Sequence, residues 1–175
     1  MITNVLVPLD GSKMAEQALA VAVELAKGLH GKIVLLRVVA PVVPGRFYAP
    51  HMLGELQEAQ IREAEAYLKE LTESRAQDDV PLEANVMTGE VAKTVVNFAV
   101  TNQCDLIAMS SHGLGGRGWQ VFGSVAQKVL HSAKSPVLIV KPSQTAWERE
   151  EEEEERRDDD AMVGQLARTQ VGKAP

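Results

Sequence analysis

Residues 105–140 read DLIAM, SSHGLGGRGWQVFG, SVAQKVLHSA, KS and PVLIV in turn. An apolar run of strand length gives way to a glycine-rich loop, then to a segment with helical apolar spacing, then to a second apolar run. Two strands joined through a helix read as a parallel βαβ unit, because a parallel connection has to cross back over the sheet. Towards the N-terminus the same alternation repeats. Glu90–Val100 has a helical period, and Pro81–Met87 alternates like a strand with one wetter face, as expected near a sheet edge. Glu55–Leu71 carries an apolar stripe of Leu56, Ala59, Ile61, Ala64, Leu68 and Leu71, after a loop rich in Pro and Gly over Pro41–Pro50. Ile2–Leu9 (ITNVLVPL) and Lys32–Ala40 (KIVLLRVVA) are short apolar runs rich in β-branched residues, suited to strands buried on both faces. Between them Ser12–Leu29 has helical spacing, with Asp10 or Ser12 as its candidate cap and Gly31 breaking the pattern.

Five strands alternating with about four helices predict an α/β fold, a doubly wound five-stranded parallel sheet covered on both faces. Right-handed crossovers favour such a doubly wound arrangement, with the strand order expected to be 3-2-1-4-5. That order sets the first and fourth strands side by side at the switch in chain direction, where ligands of such folds bind.

The glycine-rich loop lies at that switch. Gly113–Gly118 satisfies G-x-G-x-x-G literally, but a dinucleotide fingerprint follows the first strand and opens directly into a helix, whereas this one follows the fourth. No Walker A pattern occurs, and Lys128 falls inside the fourth helix. A different phosphate geometry remains. Gly123-Ser124 begins the fourth helix, whose unpaired N–H groups and dipole favour phosphate oxygens. Across the switch, Asp10 at the end of the first strand is placed to accept from a ribose hydroxyl or an adenine amine, or else to cap the first helix.

The residues VPLDGS near the start, LLRVV in the second strand, and SSHGLGGRGWQVFGSVAQKVLHSAKSPVLIVKP together resemble the universal stress protein family of nucleotide-binding α/β domains. The resemblance covers residues 1–142 and implies a Rossmann-like, adenine nucleotide alpha hydrolase-like fold. ATP-binding members carry G-x-x-G, nine residues, then G-[ST]. Here Gly113 and Gly123-Ser124 keep the long spacing, and Ser110 stands at the first glycine position. By the resemblance, Asp10 and the backbone around Pro8 and Leu9 would meet ribose or adenine, and Val38 the adenine edge through its main chain. Met109 would pack near the sugar or base, while Gly113, Gly123, Ser124 and Val125 would hold phosphates. Arg117 is a solvated loop residue on its plain reading, and its guanidinium also offers phosphate a bidentate fork. His112 adjoins the same place, where an imidazolium would be favourable, although a lone loop histidine is commonly a surface residue. The resemblance further implies a homodimer pairing the strand Pro136–Val140 across a two-fold axis.

The chain's 175 residues, 45% hydrophobic and 24% charged, suit one globular domain with a remainder. Its net charge of −6 is unevenly placed: Glu148–Asp160 holds ten acidic residues and three arginines, whereas residues 1–147 carry 13 Lys and Arg against 14 Asp and Glu. The expected organisation is a nucleotide-binding domain over 1–142 and an acidic tail over 143–175, a charged helix or a disordered appendage for a protein partner. With seven aromatic residues and no basic patch, nucleic acid is not an expected partner. One cysteine, Cys104, excludes an internal disulfide and suits a reducing cytoplasm. Neither a membrane span nor a cleavable leader is evident. His30, His51 and His131 fall in different elements, so no dedicated protein metal site is expected.

The function expected is an ATP-binding stress-response regulator, any Mg²⁺ arriving with the phosphates. A glycine-backbone site holds phosphate well and moves protons poorly, so little or no hydrolysis is expected. The alternatives are a slow ATPase or phosphoryl-transfer enzyme using Asp10 and His112, and an interaction protein that has lost nucleotide binding, with Ser110 as the sign of erosion.

Overall fold

The structure, a computed structural model, describes residues 1–43, 50–113 and 122–143, with the backbone alone at Pro50 and His51. Arg117 and the acidic run Glu148–Asp160 lie outside the described residues. The elements are β1 (Asn4–Leu9), α1 (Lys13–Leu29), β2 (Lys32–Val39), α2 (Pro50–Ser74), β3 (Leu82–Thr88), α3 (Val91–Thr101), β4 (Leu106–Ser110), α4 (Ser124–Ser132) and β5 (Val137–Val140). Residue contacts divide the chain into Met1–Pro142 and Ser143–Pro175, and all of these elements belong to the first unit.

The sheet is parallel throughout, in the order β3-β2-β1-β4-β5. Its central strands are apolar on both faces because helices cover both. On one face Val5, Val7, Ile33 and Leu35 pack with Leu19 and Ala22 of α1 and Leu68 of α2. On the other, Leu6, Val34, Leu36 and Ile107 pack with Val95 of α3 and Ala126 and Val129 of α4. Leu35 is wholly buried, and its truncation to Ala would cost about 2–5 kcal/mol. β3 is an edge strand in which no residue is fully buried, and its exposure does not follow the strict alternation expected from its sequence.

Both ends of α2 differ from the sequence reading. α2 begins at Pro50, inside the expected loop, and runs on to Ser74. Proline is tolerated in a helix's first turn, where its missing N–H has no partner to lose, so Pro50 opens the helix rather than delaying it. α1 ends at Leu29 as expected, and the left-handed residue beyond it is His30 (φ 52°). Gly31 serves a different need, because a Cβ there would stand 2.9 Å from the Thr3 carbonyl oxygen.

At the amino edge of the sheet, the Asp105 carboxylate ties β1 to β4, accepting from the backbone N–H of Thr3 at 2.9 Å and of Asn4 at 3.0 Å. Those two donors, Thr3 foremost, hold its carboxyl below the usual carboxylate range.

Candidate functional site

β1 and β4 pair only through Val5↔Leu106 and Leu6↔Ile107. Beyond those pairs each strand turns to its outer neighbour: β1 stays paired with β2 as far as Leu9↔Arg37, and β4 with β5 as far as Ser110↔Val140. The two strands therefore splay apart, and a crevice opens at their carboxyl ends where the winding direction changes. It has a volume of about 230 Å³.

Eleven of the twelve site residues expected from the sequence line this one crevice: Pro8, Leu9, Asp10, Val38, Met109, Ser110, His112, Gly113, Gly123, Ser124 and Val125. The twelfth, Arg117, lies outside the described residues. Three chain segments distant in sequence thus meet at one place.

The β1–α1 turn fixes Asp10. Its Oδ1 accepts from the Ser12 backbone N–H at 3.0 Å and from the Ser12 hydroxyl at 2.6 Å, and Ser12 Oγ accepts from the Ala15 N–H at 3.0 Å. Ser12 is therefore the N-cap of α1, and Asp10 orients the cap from one turn outside. Of the two capping candidates, the serine holds the position. Gly11 takes φ +88° between them, in the left-handed region that glycine enters without steric cost.

Opposite, Gly113 is pressed against Asp10: a Cβ at Gly113 would collide with Asp10 Oδ2. The Ser110 hydroxyl accepts from the His112 N–H at 3.4 Å, and the His112 ring Nδ1 shares a hydrogen with Ser111 Oγ at 3.0 Å. The Ser111 N–H donates to the Val140 carbonyl, and the Ser111 carbonyl accepts from the Gly123 N–H at 2.8 Å. These bonds anchor the two ends of the glycine-rich loop to the sheet. At Gly123, the N-cap of α4, no side chain caps the helix.

Val38 contributes through its backbone. Ile33 donates to Pro81 and Val39 accepts from Gly89, so the odd-numbered residues of β2 bond towards β3 and the even-numbered ones towards β1. β1 ends its pairing at Arg37, so the Val38 carbonyl points past it, to the crevice side. The remaining wall is apolar, formed by Leu36, Val91, Val95 and Ala126.

Ser12 and Ser111 escaped the sequence reading of the site. Asp-Gly-Ser is an Asx-turn pattern, so the Asp10–Ser12 bond was available as a local signal. Ser111 acts through its main chain on Val140 and Gly123 and through its hydroxyl on the adjacent His112, contacts that only the fold reveals. Among the described residues no three His, Cys, Asp or Glu side chains cluster to hold a metal ion, and no helix is long and apolar enough to cross a membrane.

The universal stress protein family model matches residues 1–141. Among curated relatives, a universal stress protein of Thermus aquaticus (encoded in the QAH/OAS sulfhydrylase 3′ region) is 34% identical over 144 residues. YxiE of Bacillus subtilis, also a universal stress protein, is 32% identical over 148 residues. Each alignment covers 81% of this chain and all of the relative. Solved structures share the fold. The hypothetical protein MJ0577 superposes with a TM-score of 0.74 at 24% identity, covering 82% of this chain and 99% of its own. A universal stress protein in complex with cAMP gives 0.62 at 21%, covering 81% and 98%. The Arabidopsis thaliana family protein At3g01520 with AMP bound gives 0.60 at 17%, covering 82% and 94%. With its fold, its long motif spacing and a family match across residues 1–141, this chain belongs to the universal stress protein family.

Proposed function

We propose that the crevice between β1 and β4 binds an adenine nucleotide, namely ATP with Mg²⁺ held by its phosphates, and that the protein acts as a nucleotide-dependent stress-response regulator with little or no hydrolysis. The observation that carries this reading is the start of α4. Its N-cap is a glycine without a side-chain cap bond, facing a crevice at the switch point, so its first N–H groups are directed at an incoming oxyanion. Two structural neighbours bear cAMP and AMP, which supports the adenine class.

In this reading the Val38 carbonyl meets the adenine edge and Asp10 the ribose, with Pro8 and Leu9 behind it. Met109 packs on the sugar or base. Gly113, Gly123, Ser124 and Val125 surround the phosphates, with Ser110, His112 and Arg117 completing that end. Asp10 and His112 are the described lining groups able to take a proton. Each is engaged by a neighbouring serine, which suits holding a ligand more than shuttling protons. The nearly neutral body accommodates a polyanion without strong repulsion. The protein works in the cytoplasm as a homodimer joined through Pro136–Val140, and the acidic segment 143–175 serves a protein partner.

Mass spectrometry of small molecules released from the purified, denatured protein is expected to find an adenine nucleotide. Mg-ATP at 100 times its Kd should stabilise the fold by about 2.7 kcal/mol. No bound nucleotide and no thermal shift with ATP, AMP or cAMP would overturn the reading. Multiple turnover near the enzyme median of about 10 per second would replace it with a phosphoryl-transfer enzyme.

A further inference from the structure

On the other face of the sheet, β2 directs a charge into a second cavity. Neighbouring strand residues point to opposite faces, so Arg37 leaves the sheet on the α1/α2 side while Val38 faces the nucleotide crevice. This cavity measures about 420 Å³, is lined by Gly11, Arg37, Val39, Glu63 and Tyr67 among others, and shares Val38 with the nucleotide crevice. Arg37 is half-buried, and its Nη1 donates to the Leu9 carbonyl at 3.4 Å. Among the described residues no carboxylate oxygen lies within 4.0 Å of its guanidinium nitrogens. A guanidinium with five donors and one long hydrogen bond keeps a planar fork available, and a charge drawn partly out of water favours a counter-charge.

The surroundings select the guest. Val39 and Ala64 offer apolar wall. The Tyr67 hydroxyl donates to Glu16 Oε1 at 3.4 Å, and burial, then the charges of Glu16 and Asp10, raise its pKa so that this wall stays neutral. With Asp10 and Glu16 near Tyr67 and Glu63 at the cavity, a dianionic phosphate meets more repulsion than a single carboxylate. The carboxylate also matches the guanidinium fork in shape. We propose that this cavity, which adjoins the nucleotide crevice at Val38, is a second ligand site that takes a small organic monocarboxylate on Arg37.

The test is a titration of the full, isotopically labelled chain with sodium propionate at constant ionic strength and neutral pH, followed by amide and Arg37 Nε–H resonances. Saturable shifts at Gly11, Val39 and Arg37 are expected, with Kd of about 1–10 mM. Arg37→Gln should weaken binding by roughly tenfold or more, and Glu63→Gln, on an exposed residue, should tighten it by about twofold. Inorganic phosphate should bind more weakly than propionate. The proposal fails if the shifts do not saturate by roughly 100 mM, well above that range. It fails equally if Arg37→Gln binds as wild type does, or if phosphate binds more tightly. Should Arg37→Gln not fold, the wild-type titration and the Glu63→Gln shift decide between the same outcomes.

Discussion

Two helices begin beside the same crevice, and they begin differently. α1 closes on itself: Ser12 caps the Ala15 N–H, and Asp10 accepts from both the backbone and the hydroxyl of Ser12. α4 starts on Gly123, whose own N–H is spent on the Ser111 carbonyl and whose missing side chain leaves the next turn uncapped. Every helix start carries orphan N–H groups. Where the chain supplies the acceptor, the result is a rigid turn, and α1 uses that rigidity to aim Asp10. Where no side chain caps the helix among the described residues, the proposed ligand would supply the acceptor. One end of the crevice is therefore finished by the protein, and in the proposed function the other is finished by the ligand.

The largest expected effect comes from Gly113, where the two sides touch. Gly113→Ala drives a methyl into Asp10 Oδ2, and Asp10 can retreat only by giving up its bonds to Ser12. Overpacking of this kind costs about 1–3 kcal/mol, readable as a lower urea midpoint. Nucleotide affinity by calorimetry should fall by roughly 100-fold, because two hydrogen-bonded groups are displaced together.

Gly123→Ser makes α4 resemble α1. The new hydroxyl competes for the N–H groups that the proposed function gives to phosphate, so affinity should drop about tenfold, one charge-assisted hydrogen bond's worth. Fold stability should rise by only a few tenths of a kcal/mol. The gain is limited because the added Cβ stands 3.3 Å from the Ser111 carbonyl oxygen. An unchanged affinity would remove the contrast between the two helix starts.

Ser12→Ala makes the reverse change, opening α1. Loss of a helix cap should cost about 1 kcal/mol in chemical denaturation. Affinity should weaken as well, since Asp10 loses the hydroxyl that orients it. A stability loss with wild-type affinity would show that Asp10 does not need Ser12 to bind.

The smallest effect lies at the amino edge of the sheet and serves as a control. Asp105 is held below the ordinary carboxylate range by the Thr3 and Asn4 N–H groups, so it stabilises the fold at pH above the unfolded value of about 3.9. That contribution fades as pH falls through the lowered folded-state value. The difference in urea midpoint between wild type and Asp105→Asn should therefore shrink from neutral pH towards about pH 3, below the unfolded value. Nucleotide affinity at neutral pH should be unchanged.

Much of this was legible beforehand, for reasons that differ by element. The buried strands Asn4–Leu9 and Lys32–Val39 are β-branched runs flanked by helical periods, a signal that survives without any partner. Right-handed crossovers narrow such a chain to a doubly wound sheet, and the order 3-2-1-4-5 is one of the few that remain. The start of α2 was read late because Pro50 suits a loop and a first helical turn equally well. Most of the expected site residues came from the family resemblance and the rest from the long glycine spacing, and eleven of them line one crevice because the turns at this edge are short. Spacing carried no account of which residue caps α1, because Asp10 and Ser12 are both good caps and only the backbone path chose between them.

The sequence by itself determined the succession of strands and helices, the family, and the separation of a near-neutral body from a strongly acidic segment. Those properties live in local pattern and composition. Tertiary structure alone decided that β1 and β4 part after Leu6 and Ile107, that the Val38 carbonyl faces the opening, and that Gly113 lies on Asp10. It also set Arg37 on the far face without a carboxylate beside it among the described residues. Register, splay and the approach of one backbone to another's side chain depend on residues about a hundred positions apart meeting in space. Sequence spacing does not encode that distance; packing does.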